Sequence, residues 1–376
     1  MSKILPIFIA SLILAGMAQY CSVYDLKTEQ YIRKDKFFFC ILAVAMTLFV
    51  GLRTAINDTT AYTHSYELIK NSDGIMHNVD WFKIGDNPGF NFTNNILHAL
   101  GVSTQSFLMF YAVITVCIYI WFIRKYTDHI WLSIFLFSTM GVYTFALAAI
   151  KQCVAVAFCL VATDCALRRK WVPYVIWILI ACTFHPYSLM FFAVPFLTFK
   201  PWGKKTYITL AIFGALGISL QALLGKLVDI TTMLGEEYSV SSFSGEGVNI
   251  FRLAVVWSPV ILSWICHGYQ LKSGDQKRDR ADNLMMNLTM LNAEIMFIAR
   301  FGTANYFARL ANYFLIFQVI ALPAMLKNFT KRSQKALTVC IVICYMLYFI
   351  YANCMYGSFD ANYQSITITE YLRQLF

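Results

Sequence analysis

The chain has 376 residues, 59% hydrophobic and 13% charged, with a mean hydropathy of +0.59. Soluble domains carry about 25% charged residues, so the composition excludes a disordered chain, a nucleic-acid-binding domain and an ordinary cytosolic enzyme, despite a net charge of +10. One span needs roughly 20 apolar residues, so the content predicts an all-α polytopic membrane protein of about 10–12 transmembrane helices in a single integral membrane domain, 1–376.

Taken in chain order, apolar runs fall at 4–20, 37–52, 106–123, 130–150, 152–167, 171–184, 187–199, 206–224, 253–268, 284–299, 310–326 and 336–352. The first run, with Lys3 before it and Gly16-Met17-Ala18 near its end, also has the form of a secretory signal peptide. If it instead spans inward, twenty of the thirty basic residues gather in six short loops: 21–36, 124–129, 168–170, 200–205, 269–283 and 327–335. That alternation obeys the positive-inside rule and predicts both termini outside. The segments 53–105 and 225–252 then form two extracytoplasmic loops. In the first, Asn87-Pro88-Gly89-Phe90 makes a turn. Phe90, Ile96, Leu97 and Leu100 follow it on a predicted amphipathic helix that closes over a site.

His185-Pro186 splits the apolar stretch 171–199 into two short halves. Proline ends the hydrogen-bond ladder, which predicts either broken backbone lining a cavity or a tight hairpin at the outer surface. Most of the eleven cysteines lie inside apolar runs and no CxxC pair occurs, so neither a disulfide framework nor a zinc site is expected. His64, His77 and His98 lack a ligand spacing, and no metal is expected there.

Ionisable groups within apolar sequence are the informative ones, because intramembrane charge is costly. Arg53, Lys151, His185, Glu294, Arg300 and Arg309 are predicted at the outer ends of their spans; Asp164 is the exception. Each could snorkel separately to the headgroups. Alternatively Arg53, Lys151, His185 and Arg309 converge on one cavity open to the outer leaflet. Cations beside an imidazole suit a lipid-linked phosphate or pyrophosphate, which arginine grips bidentately and lysine meets as a point charge. The extracytoplasmic side holds no nucleotide donor, so an enzyme there must draw on a donor activated on a lipid. Outer aromatics such as Tyr62, Tyr66, Trp81, Phe82 and Phe90 either stack on sugar rings or anchor the interface.

Four short motifs add a resemblance. Gly51-Leu52-Arg53 with Asn57-Asp58-Thr59 and Tyr62 resembles the "GLR…DT..Y" element of the EpsG family of Wzy-like bacterial exopolysaccharide polymerases. Asn87-Pro88-Gly89-Phe90 resembles its "EPGF". Lys151-Gln152 with Ala181 and Phe184-His185 resembles "RQ…A..FH.S", and Arg309 through Tyr313-Phe314 to Pro323 resembles "R…YF…P". Four departures stand out. Lys151 replaces the usual arginine, Asn87 replaces an acidic residue, Pro186 follows His185, and the Arg53-to-Asp58 interval is one residue short.

The resemblance implies a Wzy-like (GT-C-like) bundle. It would polymerise polyprenyl-pyrophosphate-linked oligosaccharide repeat units into exopolysaccharide or capsule at the outer face of the bacterial inner membrane. It implies Arg53, Lys151 and Arg309 on the pyrophosphate, and His185 or Asp58 as base for the attacking hydroxyl. Gln152, Glu294, Arg300, Tyr62 and Tyr313 would support them. No cofactor or metal is expected, and no nucleic acid. The expected partners are the lipid-linked oligosaccharide, the bilayer, and a chain-length regulator and flippase of the same pathway. A lipid-linked oligosaccharide transporter and a membrane sugar O-acyltransferase are the competing classes. The first would normally carry two related halves, and the second would leave the outer cations without a purpose.

Overall fold

The computed structural model describes residues 2–25, 30–33, 35–70, 72, 74–127, 129–233, 239, 243, 245–267, 276–302, 304–356 and 359–375. Of the loop cations, Lys27, Lys34 and Lys272 lie outside them. The described chain is overwhelmingly helical, and each of the twelve apolar runs falls on a helical element. These are α1 (Leu5–Tyr20), α2 (Lys36–Gly51), α5 (Thr104–Tyr126), α6 with α7 (Ile130–Thr139, Val142–Ala148), α8 (Ile150–Leu167), α9 (Trp171–Phe184), a 3-10 stretch (Pro186–Leu197), α10 (Lys204–Ile218), α12 (Ile250–Cys266), α13 (Gln276–Phe301), α14 (Ala304–Met325) and α15 (Lys331–Ile350). The protein is an all-α polytopic membrane protein. The remaining helices are α3 (Thr59–Glu67), α4 (Pro88–Ala99), α11 (Leu220–Met233), α16 (Phe359–Asn362) and α17 (Ile368–Leu375). Two pairs of short strands complete the description: β1 (Ser22–Asp25) with β2 (Gln30–Arg33), and β3 (Arg53–Ala55) with β4 (Gln364–Ser365).

Among the described residues four helices are long and apolar enough to cross a bilayer alone, and two bent pairs bring the number to six. The break between α6 and α7 sits at Gly141, whose φ of 90° is open to glycine, and the two helices differ by 45°. α9 stops at His185, which takes an extended conformation (φ −159°, ψ 121°), the backbone favoured for a residue before proline. Pro195 continues the interruption, so Pro186–Leu197 forms 3-10 rather than α-helix. Residues 225–233, expected in a loop, complete α11 instead. Leu220 and Leu224, one turn apart, are both buried there and hold the helix on its neighbours.

The helices form two compact units: Met1–Val79 with Gly89–Leu160 and Val342–Phe376, and Asp80–Pro88 with Val161–Ile341. In lipid, helix association rests on close packing rather than on hydrophobicity, and the first unit displays this directly. A Cβ placed on Gly51 would collide with Met109 Sδ and stand 3.1 Å from its Cα, so the glycine permits α2 to approach α5. Gly51→Val is therefore expected to cost about 1–3 kcal/mol by overpacking. Lower thermal stability in detergent, partly restored by adding Met109→Ala, would establish the contact; an unchanged melting curve would refute it.

The 53–105 segment is built rather than loose. Asn87 adopts a left-handed backbone (φ 55°), where asparagine is favoured over most residues, and its amide donates to Gly85 O at 2.9 Å. Pro88 opens α4, a position suited to its fixed φ. Phe90 and Leu97 are buried in the first unit, whereas Leu100 is exposed. Asn95 donates to Ile75 O and His77 O, and Asn94 accepts from Tyr111 Oη, which ties α4 down from both sides.

Candidate active site

In the first unit the site begins where α2 ends. The carbonyls of Gly51 and Arg53 both accept from Gln105 Nε2 on α5, at 2.6 and 3.2 Å. The backbone of Arg53 pairs with Ser365. Its side chain is buried, the residue being 1% exposed. Nε donates to Thr59 Oγ1 at 3.1 Å and Nη1 donates to Val50 O. Thr59 in turn donates to Leu147 O at 3.4 Å, linking the head of α3 to the end of α7. No carboxylate among the described residues pairs with Arg53; its electrostatic neighbours are Cys153, Tyr363, Tyr62 and Tyr143. A buried cation without a counter-ion is expensive, by several kcal/mol.

Lys151 lies in the first turn of α8, where the helix dipole already presents positive charge and no acidic residue occupies the turn. Its ammonium sits 5.1 Å from the Phe90 ring centroid, a cation–π contact. Phe90 meets Tyr62 edge-on at 5.8 Å and stacks on Tyr111 at 5.2 Å. Four helices, α3, α4, α5 and α8, thus converge on one phenyl ring. Gln152 beside Lys151 is buried, and Asp58, immediately before α3, is half-buried.

In the second unit His185 and Tyr313 come together: Tyr313 Oη lies 2.8 Å from His185 Nδ1, and Tyr313 is fully buried on α14. The imidazole also contacts Tyr187, whose hydroxyl accepts from Tyr306 Oη at 3.1 Å. Tyr306, Arg309 and Tyr313 follow one another at helical spacing on α14, with Arg309 exposed.

Glu294 lies in the last third of its helix. It sits within α13, seven residues after Asn287, which caps Leu197 O and Phe199 O, and six before Arg300. Asn292 reaches α14 through Ala311 O at 2.5 Å, while Glu294, two residues on, faces Thr209 of α10. The helical offset of two residues turns it away from the α14 side. Arg300 is exposed at the end of α13, and its carbonyl would collide with a Cβ on Gly247. Asp164 is answered by Arg168 one turn later, at 3.1 Å, an ordinary helix pair.

Sequence reasoning misses two participants. Thr59 lies inside a quoted motif, and a hydroxyl six residues from a buried arginine is its only signal. Tyr363, in the tail, gives none.

The chain is thus a helical membrane protein that carries a buried arginine and an aromatic-backed lysine in its first unit and a tyrosine-bound imidazole in its second. The EpsG family profile matches residues 36–366, nearly the whole chain, and the chain belongs to the EpsG family. That family is associated with polysaccharide polymerisation, a glycosyl-transfer reaction. No curated protein and no solved structure in the comparisons matches the chain.

Proposed function

We propose that the protein is a polymerase that joins polyprenyl-pyrophosphate-linked oligosaccharide repeat units at the outer face of the bacterial inner membrane. The observation that carries this reading is Arg53: buried, charged and unmatched by any carboxylate among the described residues. Such a group is stabilised when an anion arrives. In the reaction, a hydroxyl of one repeat unit attacks the anomeric carbon of another chain. The bond to polyprenyl pyrophosphate breaks, and its electron pair leaves with the pyrophosphate. That leaving group needs charge neutralisation rather than a strong acid. Arg53 and Lys151 supply it in the first unit, and Arg309 is the further candidate in the second.

The attacking hydroxyl must lose a proton. His185 serves as base through Nε2 when Nδ1–H donates to Tyr313 Oη. Asp58 is the alternative base. A deletion strain provides the main test: single repeat units accumulating on the outer leaflet without polymer support the polymerase. Units trapped on the inner leaflet would mean a transporter, and polymer lacking only acyl groups would mean an acyltransferase.

The orientation is tested separately. Tyr363 Oη donates to Phe49 O and Lys3 Nζ to Tyr363 O, so the start of α1, the end of α2 and the tail lie together in the first unit. With basic loops inside, this end faces outward. Phe82→Cys should react with an impermeant maleimide in intact cells and Lys170→Cys should not, in a background without accessible native cysteines. The reverse pattern would invert the topology.

A further inference from the structure

Beside Arg53, on the first unit, lies a groove of about 470 Å³. Ser2, Lys3, Phe49, Tyr363, Gln364 and Ser365 line it. We infer that this groove holds the oligosaccharide attached to the pyrophosphate, and that Lys3 and Gln364 help select the repeat unit. The inference rests on the polymerase reading and extends it to residues outside the motif set.

Three observations carry it. The first is the lining. Phe49 stacks on Tyr363 at 4.7 Å and 6°, and Tyr363 stacks on Phe359 at 5.3 Å, giving a rigid ring wall. The same lining supplies an ammonium, an amide and hydroxyls, with Lys3 Nζ fixed on Tyr363 O at 2.7 Å. Pockets of roughly 300–1,000 Å³ that combine apolar walls with a few placed polar groups suit small ligands. A sugar offers C–H faces and hydroxyls together, whereas an acyl chain would leave the amide and the remaining ammonium protons unanswered.

The second observation is position. Ser365 is the strand partner of Arg53, and Ile366 N donates to Leu52 O. Paired strands lie about 4.8 Å apart. A pyrophosphate drawn to the buried guanidinium would therefore carry its first sugars into the neighbouring groove. The third is the extent of the family match, which covers 36–366. Ser2 and Lys3 fall outside it, so part of the wall is built by residues beyond the matched region. The repeat unit is what must differ from one polymerase to another.

The test uses the full chain in nanodiscs of zwitterionic lipid. The probe is a set of oligosaccharide fragments released by mild acid from the producing strain's own polymer. Saturation-transfer NMR measures their binding. The parent protein should bind, the Lys3→Ala/Gln364→Ala double variant should bind at least tenfold more weakly, and Gln364→Trp should abolish binding by filling the groove. Both side chains are exposed, and unchanged melting curves would verify the fold. Arg53→Met should keep fragment binding while losing polymer. No binding to the parent, or equal binding by the groove variants, overturns the groove even when the deletion strain lacks polymer. A deletion strain that still makes normal polymer overturns the polymerase reading, whatever the fragments do.

Discussion

Arg53→Met is expected to reduce polymer about 100-fold or more, while the variant protein melts at the same temperature as the parent or higher. The two halves of this result have one cause. Truncating one member of a buried charge pair costs about 2–5 kcal/mol, and about 2.7 kcal/mol is a hundredfold in rate. In the absence of substrate, however, the guanidinium is buried with Thr59 Oγ1 and Val50 O as its hydrogen-bond acceptors among the described residues. Methionine fills a similar volume without an unmatched charge, and such replacements are often neutral or stabilising. An arginine kept for structure would behave in the opposite way, since its removal would lower the melting temperature and leave polymer intact. In-cell polymer by gel and melting by scanning fluorimetry decide between them. Lys151→Arg should be tolerated, because either cation can rest on Phe90.

The second large effect is at the imidazole. His185→Ala should slow polymer formation about 10²–10⁴-fold, the usual contribution of a general base, with a smaller effect on donor binding. Tyr313→Phe separates chemistry from architecture. The ring remains in the core, and only the hydroxyl 2.8 Å from Nδ1 is lost. We expect a loss of about tenfold and a displaced acid limb in the pH–rate profile, because that limb reports protonation of His185. A Tyr313→Phe profile superimposable on the parent's would remove the tyrosine from the mechanism. A His185→Ala enzyme of normal rate would leave Asp58 as the base.

The helices are readable in the sequence because span length and hydropathy are local properties; 104–126 could hardly be anything else. The motifs are readable as a set but not as contacts. Their pairing is visible only in three dimensions: the arginine of the first motif binds the threonine six residues on, and the phenylalanine of the second sits under the lysine of the third. In the second unit the histidine of the third motif meets the tyrosine of the fourth. The partner of Glu294, Thr209 on α10, is likewise hidden in the sequence, because 85 residues separate the two. The second half of α11 reads as a loop because Lys226 and Asp229 interrupt the apolar pattern that Leu220 and Leu224 begin. The strand pairing of Arg53 with Ser365 leaves no trace, since a two-residue strand has no periodicity to detect.

That pairing also bears on how the protein is made. Arg53 enters the membrane early, but the strand that fixes its backbone lies 312 residues further along. At about 5–20 residues per second, synthesis of the interval takes roughly 15–60 s. Throughout that time α2 can be inserted while its terminal arginine lacks its strand partner. Every other span can therefore be in place before that strand pair forms. A chain interrupted ahead of Gln364 would insert its spans yet lack the strand that pairs with Arg53.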